Sequence, residues 1–407
     1  MLNENFLLLQ KNYLFQEIDK KASEHLSANP QLDLLNLGKG DSAFPLCSAI
    51  AEALCVAAKE MSQKTIGYGP TQGYPFLREA ICHFEYAHTS ITVDEIFVSD
   101  GAKNDTANIL ELFFQDAKIG ICDPIYPVYL DSAVISGKAK KFNERSKKFE
   151  NIHDLPCLEK NNFMPSLPTS KVQLIYLCSP NNPTGVAYTK EELTKWVNYA
   201  KENQAVIIFD RAYKNFITEK HIPQSIYEIA GAKQVAIEIS SFSKTAGFSG
   251  LRCSYIVIPN ELTILFDNET YSLNQLWQRR ISSKFGGVAY PIQKAAQAAF
   301  SYRGREQLQE IISIYQNNVS VLLNGLKKLG FTVYGGVNSP YVWWKIPEGY
   351  KSWEFFEFLL KNLQIISVPG VGFGKHGENF IRLSAFAQKK TIEKALDKLS
   401  HLEPLHD

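Results

Sequence analysis

Ser241-Phe-Ser243-Lys244 follows the apolar run Val235–Ile239, and Arg252 stands eight positions past the lysine. Two hydroxyls and a guanidinium can hold a phosphate, and an amine beside them can act as a nucleophile. Asp210 ends another apolar run, Ala205–Phe209, with Tyr213 three residues on. A carboxylate at a strand end can face a cationic ring nitrogen, although aspartate also caps ordinary turns. Ser179-Pro-Asn-Asn-Pro-Thr-Gly185 leaves the run Val172–Cys178. Asn-Pro and Thr-Gly are turn formers, but the amide of Asn182 can also donate to a ligand oxygen. Arg382 lies inside the strand-like segment Asn379–Ala385. A half-buried guanidinium needs a partner, either an internal salt bridge or the carboxylate of a substrate.

These groups sit at the ends of apolar runs, and those runs must position them. Ile96–Val98, Ile119–Cys122, Val172–Cys178, Ala205–Phe209, Val235–Ile239 and Tyr255–Ile258 read as buried strands. Helical patterns separate them, such as Lys190–Asn203, opened by Thr189 with Glu192 as a capping box. Such alternation predicts an α/β fold with a mainly parallel sheet, whose ligands bind at the carboxyl ends of the strands. A second region begins near residue 300. From Gln307 to Leu329 apolar residues recur at helical spacing, beginning at Leu308, and Gly330 is a stop signal. Strand-like Tyr341–Ile346, Gln364–Val368 and Asn379–Ala385, with helical Trp353–Asn362 and Thr391–Leu399, predict a smaller α+β domain. The expected division is a large domain over 46–295 and a small domain combining 1–45 with 296–407.

Composition narrows the function classes. The 407 residues are 45% hydrophobic and 21% charged, which is a globular balance. Lys and Arg number 43 against 42 Asp and Glu, so no basic excess points to nucleic acid or an anionic membrane. The seven cysteines form no C-x-x-C pair, and no H-E-x-x-H is present, so no metal is expected. Met1 to Gln10 lacks a signal-peptide pattern, and a cytoplasmic location is the expectation. Gly372-Phe-Gly374-Lys-His-Gly377 matches a dinucleotide fingerprint in spacing only. A strand pattern rather than a helix follows it, so it reads as a glycine-rich loop.

Taken together, Asn182, Asp210, Tyr213, Lys244, Arg252 and Arg382 supply what pyridoxal 5'-phosphate chemistry needs. That chemistry takes an amine for the aldehyde, a carboxylate for the pyridine nitrogen, donors for the ring hydroxyl and a phosphate site. It also takes a guanidinium for the amino-acid carboxylate. With these motifs the chain resembles the fold-type I pyridoxal-phosphate aminotransferases of class I/II. It is similar in particular to their LL-diaminopimelate branch. The phrases that carry the second likeness include Asn12-Tyr-Leu-Phe-Gln-Glu-Ile18, Tyr68-Gly-Pro-Thr-Gln-Gly-Tyr74, Asp123-Pro-Ile-Tyr-Pro-Val-Tyr129 and Pro340-Tyr-Val-Trp-Trp-Lys345.

The resemblance implies roles for further residues. Lys244 is the Schiff-base lysine, and Asp210 pairs with the ring nitrogen. Asn182 and Tyr213 contact the ring hydroxyl, and Tyr126 stacks on the ring. The backbone of Ala102 and Lys103, with Ser241, Ser243 and Arg252, holds phosphate. Tyr68 reaches the phosphate across a homodimer interface with shared active sites. Arg382 takes the substrate carboxylate. Tyr13, Gly40, Lys103, Asn182 and Asn338 contribute to substrate recognition, Tyr13 from the partner subunit. The implied reaction interconverts tetrahydrodipicolinate plus L-glutamate with LL-2,6-diaminopimelate plus 2-oxoglutarate, by a ping-pong cycle serving lysine and peptidoglycan precursors. Thr71 stands where the branch has Glu, and Gly286 where it has Asn. Those departures keep an aspartate, aromatic or broad-specificity aminotransferase as the rival reading. A pyridoxal-phosphate lyase or racemase and a non-catalytic binding protein on the same fold are further alternatives.

Overall fold

The computed structural model describes residues 1–9 and 13–402, so Asn12 lies outside the described residues. Seven strands form the main sheet: β1 (Ile96–Ser99), β2 (Ile119–Asp123), β3 (Ile152–Pro156), β4 (Leu174–Cys178), β5 (Val206–Asp210), β6 (Ala236–Ser241) and β7 (Ser254–Val257). Their order is β1-β7-β6-β5-β4-β2-β3. Neighbours from β3 through β6 pair in parallel, and β7 runs antiparallel to both β1 and β6. Leu174–Cys178 and Val206–Asp210 are buried at every residue. That is why they read as continuous apolar runs rather than alternating ones: a parallel strand is covered on both faces.

Each expected strand of the large unit is present, with ends shifted by at most two residues. The edge strand Ile152–Pro156 escaped the pattern. His153, Asp154 and Pro156 interrupt its apolar residues, and an edge position tolerates them. Because the parallel strands share a direction, Asp123, Ser179, Asp210 and Ser241 all emerge along one edge of the sheet. Register places Cys178 beside Asp210, and Asp210 beside Ile239.

The helix Lys190–Asn203 starts as the sequence predicts. Thr189 Oγ1 accepts from Glu192 N at 3.2 Å, and Thr189 N donates to the Glu192 carboxylate at 2.8 Å. The long helix spans Tyr302–Lys328, starting five residues before the expected Gln307. Ser301 caps it by accepting from Gly304 N at 3.0 Å. Its first turn is polar, so the apolar repeat begins only later.

A second sheet holds β8 (Val333–Gly335), β9 (Tyr341–Lys345), β10 (Val368–Pro369) and β11 (Phe380–Ser384), in the antiparallel order β8-β9-β11-β10. The expected strand Gln364–Val368 is divided at Ser367. Ile365–Ile366 pairs in parallel with Leu35–Asn36, and Val368 pairs with Arg382. Hydrophobic residues gather into one large cluster around the main sheet and a second around Leu322, Trp344, Phe355 and Ile381. Tyr213, Phe216, Tyr315, Tyr341 and Phe386 form a third, aromatic cluster beside the site.

The N-terminal segment touches both units. The helix Leu14–Ala28 buries Leu14 and Ile18 in the large cluster, while Lys21 pairs with Glu357 at 2.7 Å. Among the described residues no helix is long and apolar enough to cross a membrane.

Candidate active site

Lys244 lies in the single helical turn Phe242–Thr245 that follows β6. Ser241 opens that turn, its hydroxyl accepting from Ser243 N at 3.1 Å. The Lys244 ammonium donates to the Gly40 carbonyl. Burial lowers its pKa to about 8; Asp41 opposes the shift, and Arg382, Arg252 and Lys103 reinforce it. An amine so placed loses its proton far more readily than a surface lysine.

Asp210 is buried at the end of β5. One carboxylate oxygen accepts from Tyr129 Oη at 2.7 Å and the other from Ala212 N at 2.9 Å. Burial pushes this carboxyl above the usual carboxylate range, and its two donors pull the other way. A cationic N–H is the partner that would offset that desolvation. Tyr213 and Tyr341 share a hydrogen bond between hydroxyls at 2.7 Å. Burial raises both hydroxyls, so each stays protonated as a donor.

Arg382 sits in the middle of β11, opposite Trp343 of β9 and Val368 of β10. It is 1% exposed. Its Nη1 donates to Asn182 Oδ1 and its Nη2 to the Gly38 carbonyl, both at 2.7 Å. Its buried Nε has no partner among the described residues. Neither hydrogen-bond partner is a carboxylate, so the internal ion pair considered from sequence is not what holds it. Three rings face the guanidinium instead: Tyr341 at 4.2 Å, Phe373 at 5.1 Å and Phe15 at 5.7 Å from Cζ to centroid. By occupying Asn182 Oδ1, Arg382 also leaves the amide NH2 of Asn182 as a free donor.

The phosphate end is built around a glycine. Gly101 has φ +149° and precedes the helix Ala102–Asn108, whose first N–H groups have no intrahelical acceptor. A side chain at Gly101 would overlap the Arg252 guanidinium. Behind the turn, Ser254 Oγ accepts from Gly101 N at 2.9 Å and donates to Asp105 at 3.0 Å. Burial raises the Asp105 carboxyl to about 7. Arg252 has φ +62°, and its guanidinium donates to the Ser249 carbonyl at 3.1 Å. The Ser249 hydroxyl is buried without a partner among the described residues.

A cavity of about 450 Å³ joins these groups, lined by Lys103, Tyr126, Asn182, Asp210, Lys244, Arg252 and Arg382 among others. Its donors suit pyridoxal phosphate group by group. An amine faces the aldehyde position. A buried carboxylate suits the ring nitrogen, and a free amide donor suits the ring hydroxyl. Unsatisfied N–H and O–H groups beside Arg252 suit the phosphate.

Most of the residues expected from sequence meet here. Ala102, Ser241, Ser243, Tyr213 and Gly40 line the same cavity. Tyr13 is adjacent, because Lys103 Nζ lies 3.4 Å from its hydroxyl and 5.0 Å from its ring centroid. This Tyr13 belongs to the same chain as Lys103. The helix it caps packs on the chain's own Phe373 through Phe15.

Two expected residues lie apart from the cavity. Tyr68 is fully exposed. Asn338 spends its amide on Thr218 and Glu219, donating to the Glu219 carboxylate at 2.6 Å. Open space surrounds Gly286, and Gly287 packs on Pro70 and Thr71. Sequence reasoning passed over Tyr129, Tyr341, Phe15 and Asp41. Tyr129, Phe15 and Tyr341 had a signal, since each lies in a phrase that carries the resemblance; Asp41 is brought in by tertiary contact alone.

The family model for aminotransferase class I and II matches residues 33–399. The chain belongs to that family, whose members use pyridoxal 5'-phosphate. Within that class its relatives of nearly full length include LL-diaminopimelate aminotransferases. The protein of that name from Methanosphaera stadtmanae is 47% identical, with 99% of each chain covered. The one from Parabacteroides distasonis is 46% identical over 98% of each. The solved L,L-diaminopimelate aminotransferase of Chlamydomonas reinhardtii superposes with a TM-score of 0.93, at 37% identity and 98% coverage of both chains.

Proposed function

We propose that this chain catalyses transamination between LL-2,6-diaminopimelate and 2-oxoglutarate, and in the reverse sense makes LL-diaminopimelate from tetrahydrodipicolinate and L-glutamate. The amino-acid chemistry rests on one observation: a buried arginine with no carboxylate partner stands in the same cavity as a lysine of lowered pKa. The choice of substrate rests on full-length identity of 46–47% to relatives of that name.

When bound, pyridoxal phosphate supplies the electron sink and stores the amino group between the two half-reactions. The chain's residues do the rest. The phosphate is held by Arg252, Ser241, Ser243 and the N–H groups of Ala102 and Lys103. Asp210 offers its carboxylate to the ring nitrogen and is itself fixed by Tyr129. Asn182 and Tyr213 donate to the ring hydroxyl, and Tyr126 covers the ring. Arg382 orients the α-carboxylate so that the α-hydrogen faces Lys244. Lys244 Nζ takes that proton and holds it for redelivery, which its lowered pKa favours.

The working unit is a homodimer in which Tyr68 completes the neighbour's phosphate site. The large domain is 46–295, the small one 1–45 with 296–407, and the cavity lies between them. The location is the cytoplasm, in keeping with seven free cysteines.

The test adds LL-diaminopimelate, without any keto acid, to protein loaded with pyridoxal phosphate. Replacement of the visible band of the lysine-bound cofactor by the near-ultraviolet band of its aminated form is expected. A band that stays for this compound but shifts with aspartate or tyrosine would favour the broad-specificity reading, to which Thr71 and Gly286 point.

A further inference from the structure

The glycine-rich segment dismissed as a nucleotide loop is tied to the main sheet at one carboxylate. Asp123 ends β2, and its Oδ1 accepts from His376 N at 3.2 Å. Its Oδ2 lies 3.0 Å from His376 Nδ1. Two residues on, Ile125 N donates to the Phe373 carbonyl at 2.8 Å. The segment turns at Gly374, with φ +136°, where any side chain would collide with the Asp123 carboxylate. These contacts fix Phe373. Its ring meets Trp343 and Phe15 edge-on, at 6.1 and 6.4 Å between centroids, and faces the Arg382 guanidinium. Arg382 has no carboxylate among its hydrogen-bond partners, so ring faces and two neutral oxygens are what hold its charge in place.

We propose that Asp123 and His376 are positioning residues for the substrate carboxylate: their contact presses Phe373 against Arg382 and so fixes the guanidinium's orientation. This rests on Arg382 as the carboxylate site. It goes beyond that reading by placing the control of Arg382 in a side-chain pair 253 positions apart in sequence. Lys375 of the same segment pairs with Asp154 at 2.8 Å, but that contact is half exposed and provides a control.

The experiment measures KM and kcat for the amino donor and the keto acid, along with pyridoxal-phosphate affinity and melting temperature. Both substrates present a carboxylate to Arg382. His376→Ala is therefore expected to raise both KM values about tenfold with kcat within about twofold, the pattern of lost uniform binding. Cofactor affinity and melting temperature should stay unchanged. His376→Asn, whose amide stands where Nδ1 stands, should restore KM. Phe373→Leu should reproduce the rise, and Lys375→Ala should not. Unchanged KM in His376→Ala, no recovery in His376→Asn, or an equal effect from Lys375→Ala would overturn the proposal. So would a KM rise matched by loss of cofactor and of melting temperature. The α-carboxylate is common to all amino-acid donors, so these variants are scored with whichever donor the wild type uses. A wild type inactive on LL-diaminopimelate but active on another donor defeats the functional reading and leaves this test intact.

Discussion

At the scale of single residues, the site concentrates charge where solvent is scarce, and Lys244 shows the consequence. Its amine titrates near 8 because burial penalises the ammonium and three cations stand close by. Covalent capture of pyridoxal phosphate needs the neutral amine, so the rate at which cofactor-free protein binds it should climb with pH and level off above about 8. An ordinary lysine would level off only above about pH 10. Stopped-flow absorbance across pH 6 to 10 reads this directly, and continued rise beyond pH 9 would contradict the lowered pKa. Lys244→Ala should cut kcat by at least about 10³-fold, since it removes nucleophile and base together. Asp210→Asn asks a different question. An amide keeps the shape and the Tyr129 contact but cannot stabilise a ring cation. We expect kcat to fall about 10²-fold or more while cofactor affinity falls far less. Equal losses in both would assign Asp210 to binding rather than to the electron sink.

At the scale of elements, the parallel sheet explains why so much of the site was legible. The strands β2, β4 and β5 are apolar up to their last residue, β6 is interrupted by Glu238 and Ser240, and each ends in a polar residue or loop at the same edge of the sheet. Asp210, Asn182 and Ser241 could therefore be read from where apolar runs stop. Asp123 and His376 could not, because nothing local in either segment signals the other. Phe15 and Tyr341 were legible only through the phrases they lie in, since a ring in an apolar pattern otherwise reads as core. The turn at Gly101 lies between these cases. Ala102 and Lys103 were named through the resemblance, but the Ser254–Asp105 support behind them comes from a strand about 150 residues away. Gly101→Ala should test that turn. The backbone at φ +149° resists a side chain, and the added methyl falls on the Arg252 guanidinium. Displacing Arg252 should weaken pyridoxal-phosphate binding at least about tenfold in titrations of cofactor-free protein, a loss typical of one charge-assisted contact. Unchanged affinity would mean that Arg252 does not bear on the phosphate.

At the scale of the whole molecule, one candidate phosphate ligand is left outside the cavity. Tyr68 is fully exposed, and it lies between Gly67 and Gly69 in a stretch without regular structure. An exposed aromatic with a free hydroxyl has no use in the isolated chain but fits a two-fold assembly, in which the same surface patch serves both subunits. The reading makes a sharp prediction about mixtures. Chains carrying Lys244→Ala are inactive, and chains carrying Tyr68→Ala are impaired at the phosphate. If Tyr68 serves its own chain, a dimer of the two variants contains no intact site. If it serves the neighbour, the chain that keeps Lys244 receives a wild-type Tyr68 from its partner, and one of the two sites is complete. Random pairing of equal amounts makes half of the dimers mixed, so co-expression should restore about a quarter of wild-type activity per chain. Activity in the mixture no higher than the mean of the two variants alone would place Tyr68 in its own subunit or remove it from the site.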